Sequence, residues 1–526
     1  MAGPTATLNS AVPAATGETV WVPAATGETV WVPAATGETV WAPRLKQQAR
    51  LTELDGLLTT VRADDGTISL AIERALLLAA LDRPDDARMA FINLLRVAPT
   101  HFAGLNEFGG LLTRLGSSEA ASRVYAEAVR HHPHNPMGHV NLANLAYRAS
   151  RFEDARAHYE TALRIDPEHQ GAHQGLGAVL SDLGEHAAAR QHFAKGFHGC
   201  AITTLPYRGT RPPVELLHLI SSGGGNIPTQ SFIDDHTFLT TMVVTDHVDP
   251  ATPLPPHRLV FNAIGDADIC QPALAAAIAL VARTSAPVIN DPRKIVNTGR
   301  AETSRRLHGL PGVITPRVVM LPRSALDTAT AADTLAAEGF GFPLLLRSPG
   351  YHTGRNFIRV ETPDAVTAAV AALPGDDLLV IEYLDARGAD GQSRKYRAMF
   401  INGTVYPLHL AISRQWKVHY FTADMAERAD HRAEEAIYLD DMQAVLGARA
   451  VAALHRIRDE LGLDYGGIDF GLGPSGDVLL FETNATMVVY PPDADERWTY
   501  RRAAVQRVLD AATGMVLDRA RGPVAT

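Results

Sequence analysis

Three oxygen-bearing side chains near the C-terminus have the types and spacing to hold a hard cation. Asp469 lies in GGIDF, and Glu482 and Asn484 lie in LLFETNAT. Both segments read as apolar strands, so a hairpin between them brings two carboxylates and an amide together. Alternation puts Glu482 and Asn484 on one face of their strand and Phe481 and Thr483 on the other. An all-oxygen set of this kind suits Mg2+, which keeps several waters and takes further ligands from phosphate. Acidic residues on exposed hairpins are commonplace; the E-x-N spacing after an apolar strand, with the matching Asp upstream, is what favours a metal. Lys395 and Arg397, two apart on another predicted strand, project on one face.

The elements that must position these groups begin after Arg211. VELLHLI (214–220) has the pattern of a buried strand and runs into Ser221, Ser222, Gly223, Gly224 and Gly225, a turn without the spacing of a known phosphate-binding loop. HRLVFNAI, the helix-forming QPALAAAIALVA and the short strand PVIN follow, an alternation that describes a small α/β domain with a mainly parallel sheet. Asn262, Asp266 and Asp268 stand at the mouth of its second strand, where such sheets hold substrates.

From Pro287 onward the segments PVINDPRKIVNTGRAETSRRL, GVITPR, GFPLLLRSPGYHTGRNFIRV, LLVIEYLD, KYRAMFINGTVYPLHLAIS and GLDYGGIDFGLGPSGDVLLFETNAT resemble, in order, an ATP-grasp domain. They are most similar to the branch containing glutathione synthetases, ribosomal-protein glutamate ligases and peptide-modifying ligases, and the resemblance covers about residues 211 to 515. It implies two α+β lobes clasping ATP and Mg2+, with a carboxylate activated as an acyl phosphate and captured by an amine or hydroxyl. It further implies that Arg300, in the connector TGR, and Arg347, ending FPLLLR, meet the triphosphate; both stand where the family usually has Lys, and a guanidinium fork is not equivalent to an ammonium. Ser348 to Asn356 corresponds to the glycine-rich lid. Adenine is expected against the backbone of Glu382, Tyr383 and Leu384, with Asp385 or a nearby acid on the ribose. Arg397, with Lys395, is expected to stabilise the transferring phosphoryl and the acyl phosphate. His409, Ser413, Arg414, Trp416, Lys417, His419 and Tyr420 read equally as an acceptor-side wall or as a packed loop.

Two repeats precede this part. Ala87, Ala121, Ala155 and Ala189 recur every 34 residues, with Phe91, Tyr125, Tyr159 and Phe193 four positions later and Pro99, Pro133 and Pro167 closing three units. Ala75, Gly109, Ala143 and Gly177 supply the small residue that lets two helices approach. This pattern is similar in phase to tetratricopeptide (TPR) repeats. It implies about four stacked helical hairpins with a concave face for an extended peptide or protein, the alternative being a structural or dimerising array. His131, His132 and His134 have no carboxylate or Cys to complete a metal shell and read as a helix end. Ahead of the array VPAATGETVW occurs three times without change between residues 12 and 41. Its Pro, Gly and small residues do not sustain a helix, so a disordered or weakly extended segment is expected. Each copy carries a carboxylate between two hydroxyls and ends in Trp: Thr16, Glu18, Thr19, Trp21; Thr26, Glu28, Thr29, Trp31; Thr36, Glu38, Thr39, Trp41.

The expected organisation is multidomain: repeats at 1–43, an all-α TPR superhelix at 44–205, an α/β pre-ATP-grasp domain at 211–290 and an α+β two-lobed ATP-grasp domain at 291–515. With 526 residues, 46% apolar, several cores are needed. A net charge of −10, spread along the chain, disfavours nucleic-acid and membrane partners. Cys200 and Cys270 lack metal or disulfide spacing and read as buried thiols in the cytosol, and no secretory signal precedes them. These features favour a ligase acting on a peptide or protein held by the array, with the N-terminal Thr/Glu repeats as one such substrate through ω-ester or ω-amide bonds. A small-molecule ligase of the dipeptide or glutathione type and a nucleotide-binding scaffold without ligase activity are the rivals.

Overall fold

In the computed structural model the described residues are 19–22, 30–33, 44–58, 64–350, 354–420 and 423–522. The chain divides into two compact units. One comprises 1–22, 30–176 and 203–212, and the other 23–29, 177–202 and 213–526.

In the first unit, the described residues between 44 and 176 are helical hairpins, preceded by a two-stranded antiparallel ribbon of β1 (Thr19–Val22) and β2 (Val30–Pro33), in which Trp21 stands opposite Trp31. The remaining positions singled out in the repeated decapeptides (Thr16, Glu18, Thr26, Glu28, Thr29, Thr36, Glu38, Thr39, Trp41) lie outside the described residues. The second helices of successive hairpins begin at Pro84, Ser118, Phe152 and His186, in step with the 34-residue period. Each signature aromatic is buried, and the small partner residue leaves room for it. A Cβ at Gly109 would lie 2.4 Å from Tyr125 Cε1, and one at Gly175 would lie 2.1 Å from Tyr159 Cζ. Tyr159 also donates its hydroxyl to Asn144 Oδ1. The fourth hairpin, from the latter part of Gln170–Asp182 to His186–Gly196, falls within the second unit, where Gly177 meets Phe193 in the same way.

Three sheets build the rest of the second unit. The first has the order β3-β5-β4-β6-β7, from β3 (Ile202–Thr204), β4 (Val214–Ile220), β5 (Phe238–Val244), β6 (Leu259–Asn262) and β7 (Val288–Ile289). Its β5-β4-β6-β7 portion is parallel, as the sequence alternation predicts, and helix Gln271–Val281 covers it with Ala273, Leu274 and Ala277. Two further sheets follow in the same unit. β9 (Val318–Pro322), β10 (Leu344–Arg347), β11 (Phe357–Val360) and β12 (Asp377–Glu382) form an antiparallel sheet ordered β11-β10-β12-β9. β8 (Val313–Ile314), β13 (Ser393–Ile401), β14 (Thr404–Ser413), β15 (Tyr465–Leu472) and β16 (Val478–Asn484) form the order β14-β13-β15-β16-β8. Helices Ala429–Asp440, Met442–Leu461 and Arg502–Arg521 pack around this sheet with buried Tyr438, Leu454, Ile457 and Ala504. Among the described residues no helix is long and apolar enough to cross a membrane.

Candidate active site

Strand register assembles the site. His409 on β14, Arg397 on β13, Asp469 on β15 and Glu482 on β16 are successive cross-strand partners, so one row of four side chains crosses the sheet. The register shifts beside this row in two places, between Arg397 and Ala398 against β14 and between Asp469 and Phe470 against β16. Such bulges re-aim side chains and gather beside functional sites.

Arg397 grips Asp469 with a fork, Nε to Oδ1 at 2.6 Å and Nη2 to Oδ2 at 2.8 Å. Lys395 Nζ, on the same face of β13 as expected, adds a bond of 3.0 Å to Oδ2. The Asp469 side chain is only 5% exposed. Burial alone would raise its pKa, but the two cations outweigh burial and hold the carboxyl far below the usual range. Glu482, with a 28% exposed side chain, receives Arg300 Nη2 at 2.6 Å. There too burial opposes ionisation, and Arg300 and Arg347 hold it ionised. Arg300 opens helix Arg300–Leu307 rather than lying in a connector, because Asp268 Oδ2 accepts its backbone N–H at 3.2 Å. Gly299 permits that approach, since a Cβ there would lie 2.5 Å from Asp268 Oδ1. Arg347, buried at the end of β10, is pushed down to about 10 by burial and by Arg300.

A narrow cleft separates the two sheets of this region. Val318 and Ile381 line it from one sheet, Leu480 and Glu482 from the other, and Arg300 and Thr303 from the helix. At its rim Glu382 pairs with Arg317 through both backbone and carboxylate: its N–H donates to Arg317 O and its Oε2 accepts from Arg317 N, each at 2.9 Å. Tyr383 lies under the Arg359 guanidinium at 4.1 Å, Leu384 is half-buried beside it, and Asp385 is taken up by Arg387. Arg397 and Lys395 are thus in contact with Asp469, and Arg300 with Glu482, the register partner of Asp469. Asn484 is turned to a local task, its Oδ1 accepting from Thr486 N at 2.6 Å and from the Thr486 hydroxyl.

The loop after β14 divides between two places. The rings of His409 and Tyr420 meet at a tilt of 47° with centroids 4.8 Å apart, and His419 feels Lys395 and Arg397. Trp416 instead joins Phe357 and Tyr383 over Leu345, Leu379 and Ile381, on the other sheet. Lys417 Nζ donates to Gly354 O at 2.8 Å, fastening this loop to the segment expected to be a lid. Within that segment 351–353 lie outside the described residues.

A buried carboxylate behind this loop was not foreseen. Glu435, fully buried, accepts from Tyr420 Oη at 3.0 Å, Tyr500 Oη at 2.5 Å and Leu410 N at 3.3 Å, with Arg501 Nε at 3.3 Å. Burial raises its pKa. The signal was available: Glu435 falls on the buried face of its helix with His431, Tyr438 and Leu439.

The two carboxylates have the charge and proximity a magnesium ion asks of its ligands, being ionised and adjacent across the register, and in this structure their oxygens are held by Arg397, Lys395 and Arg300. Among the described residues no group of three or more His, Cys, Asp or Glu side chains stands in metal-holding geometry.

Comparison with known proteins bears on the helical part. A family model of the tetratricopeptide repeat matches residues 72–136 and 140–196. The TPR repeat-containing thioredoxin TTL4 of Arabidopsis thaliana is 33% identical over 84 residues, which is 16% of this chain, and the chain spans only 12% of that relative. Among solved structures, MamA from Desulfovibrio magneticus RS-1 is similar over 29% of this chain and 85% of its own, at 22% identity and a TM-score of 0.26. The RimK domain protein ATP-grasp from Sphaerobacter thermophilus is similar over 58% of this chain and 99% of its own, at 18% identity and a TM-score of 0.36. Residues 72–196 are therefore tetratricopeptide repeats, joined to a mixed-sheet part.

Proposed function

We propose that the chain is an ATP- and Mg2+-dependent ligase of the ATP-grasp type, which activates a carboxylate as an acyl phosphate and joins it to an amine or hydroxyl. Its substrate is a peptide or protein held by the helical array. The row His409, Arg397, Asp469, Glu482 supports this reading most, because together with Lys395 and Arg300 it sets two ionised carboxylates and three cations at the edge of a cleft between two sheets.

MgATP, when bound, supplies the phosphoryl group that turns a carboxylate into an acylating agent. Asp469, Glu482 and Asn484 would hold the metal, Asn484 by giving up its local bonds to Thr486. Val318, Ile381 and Leu480 offer an apolar slot that excludes water from beside the base, and the backbone of Glu382, Tyr383 and Leu384 lies at its rim. Arg300 and Arg347 stand where phosphate oxygens need neutralising. Arg397 and Lys395, fixed by Asp469, keep positive charge beside the place where anionic charge develops, with little reorganisation. His409 and His419, kept neutral by burial, face the same cations and suit an acceptor side without added charge.

The chain's own repeats are a second reading for the substrate. The composition of each copy favours it, since every repeat offers a carboxylate between two hydroxyls. Intact mass spectrometry of the whole protein with MgATP tests both. Loss of about 18 Da per bond indicates self-modification, and gain of an added amino acid or peptide indicates an external acceptor. ATP hydrolysis indifferent to every carboxylate and acceptor would point instead to a nucleotide-binding scaffold.

A further inference from the structure

The ten residues between the array and the catalytic sheets make an excursion. Residues 177–202 and 213–526 belong to the second unit, but 203–212, which starts with the last two residues of β3, groups with the first, which holds the first three hairpins of the array. After β3, residues 205–209 are all half-buried, whereas a plain connector lies in solvent. Arg208 Nη1 donates to Asp82 Oδ1 at 3.4 Å, and Asp82 sits in the turn between helices Asp65–Ala80 and Pro84–Val97, in the first hairpin of the array. Past the end of β3 the segment has no regular structure until β4. Pro206 restricts it, and Tyr207 Oη donates to Arg211 O at 2.5 Å, closing a turn after the arginine.

We infer that this segment is a tethered ligand of the array: an interaction surface at the first hairpin, with Asp82 as its charged contact, is occupied by the chain's own Leu205-Pro206-Tyr207-Arg208. The ion pair is half-exposed and by itself contributes little. Tethering makes the occupancy effective, because a short linker holds its ligand at an effective concentration on the order of millimolar. An outside peptide that needs this surface must displace the segment, and its apparent affinity falls by the fraction of chains in which the surface is already taken. The partner that fits is therefore an extended peptide with an apolar residue, proline, an aromatic residue and arginine in succession. This rests on the reading of the array as a peptide-binding surface, though not on ligase chemistry.

The test uses the full chain without nucleotide and a fluorescent peptide of sequence TTLPYRGTRP. Fluorescence anisotropy should show at least tenfold tighter binding to the Tyr207→Ala, Arg208→Glu double variant than to the unaltered chain, and weak binding of a control peptide with Glu in place of its first Arg. Equal binding to both proteins overturns the self-occupancy while leaving a peptide-binding array; binding to neither overturns both. A second readout needs no variant: saturating peptide should speed trypsin cleavage after Arg208 in the unaltered chain, and an unchanged rate overturns the displacement.

Discussion

Arg397 and Asp469 face each other across antiparallel β13 and β15, joined by two hydrogen bonds of 2.6 and 2.8 Å, although 72 residues separate them in sequence. The pair makes one residue hold another in a chosen protonation state. It also means that a change at either position acts on stability as well as on chemistry.

Glu482→Ala and Asp469→Ala should each lower ATP turnover at least 100-fold, since losing a metal ligand costs several kcal/mol at the transferring phosphate. The two variants should differ in stability. Glu482 is partly exposed, whereas removing Asp469 leaves Arg397 and Lys395 without their buried counter-charge, at about 3–5 kcal/mol. Denaturant melts beside turnover assays check this. Near-normal turnover in either variant would overturn the metal assignment.

Arg397→Ala should cut turnover while nucleotide affinity stays within a few-fold, because its charge matters most as the acyl phosphate forms. Calorimetry with a non-hydrolysable ATP analogue reads the affinity. An equal collapse of affinity and turnover would make Arg397 a ground-state phosphate clamp.

Acidification should weaken the α/β sheet through His218, which burial pushes down to about 4 from an ordinary value near 6.5. A depressed folded value means that the stabilisation is complete above about pH 6.5 and is lost as pH falls toward 4. About 2 kcal/mol should disappear between pH 6.5 and 5. His218→Leu should flatten melting temperature against pH in that window; an unchanged slope would remove His218 as the cause. His409 shifts in the same direction, so a residual slope is expected.

Gly175→Ala should destabilise the array by about 1–3 kcal/mol, the usual cost of overpacking, because the new methyl would enter the Tyr159 ring. Combining it with Tyr159→Leu should cost less than the sum of the two changes. Helical melts of the four proteins measure the coupling, and strict additivity would show that the contact is not the cause.

The repeats and the strands of the site were legible because both are written locally. A 34-residue period, an apolar run ending in Glu-x-Asn and two cations two apart on a strand are visible without tertiary knowledge. The pairing of Arg397 with Asp469 was not, because it depends on a register between strands far apart in sequence and on two bulges that leave no sequence mark. The place of Trp416 was open for a related reason: an aromatic three residues after a strand gives no sign of which sheet it will cover, and it went to Phe357 and Tyr383. Asp385 had a competitor two residues away in Arg387, a local pairing that sequence could have suggested.

The constant 34-residue interval between Ser118 and Phe152, each opening a second helix, gives the two parts of the chain opposite tolerances to changes of length. Excising Ser118–Arg151 would set Tyr159 against Gly109 in the place of Tyr125, so the array should shorten by one whole step and still close up. In β15 a single inserted residue before Asp469 would turn that carboxylate to the opposite face of the sheet, away from Arg397 and Glu482. Natural variation in length should therefore come in hairpin-sized quanta in the array and be excluded altogether from the strands that carry the row.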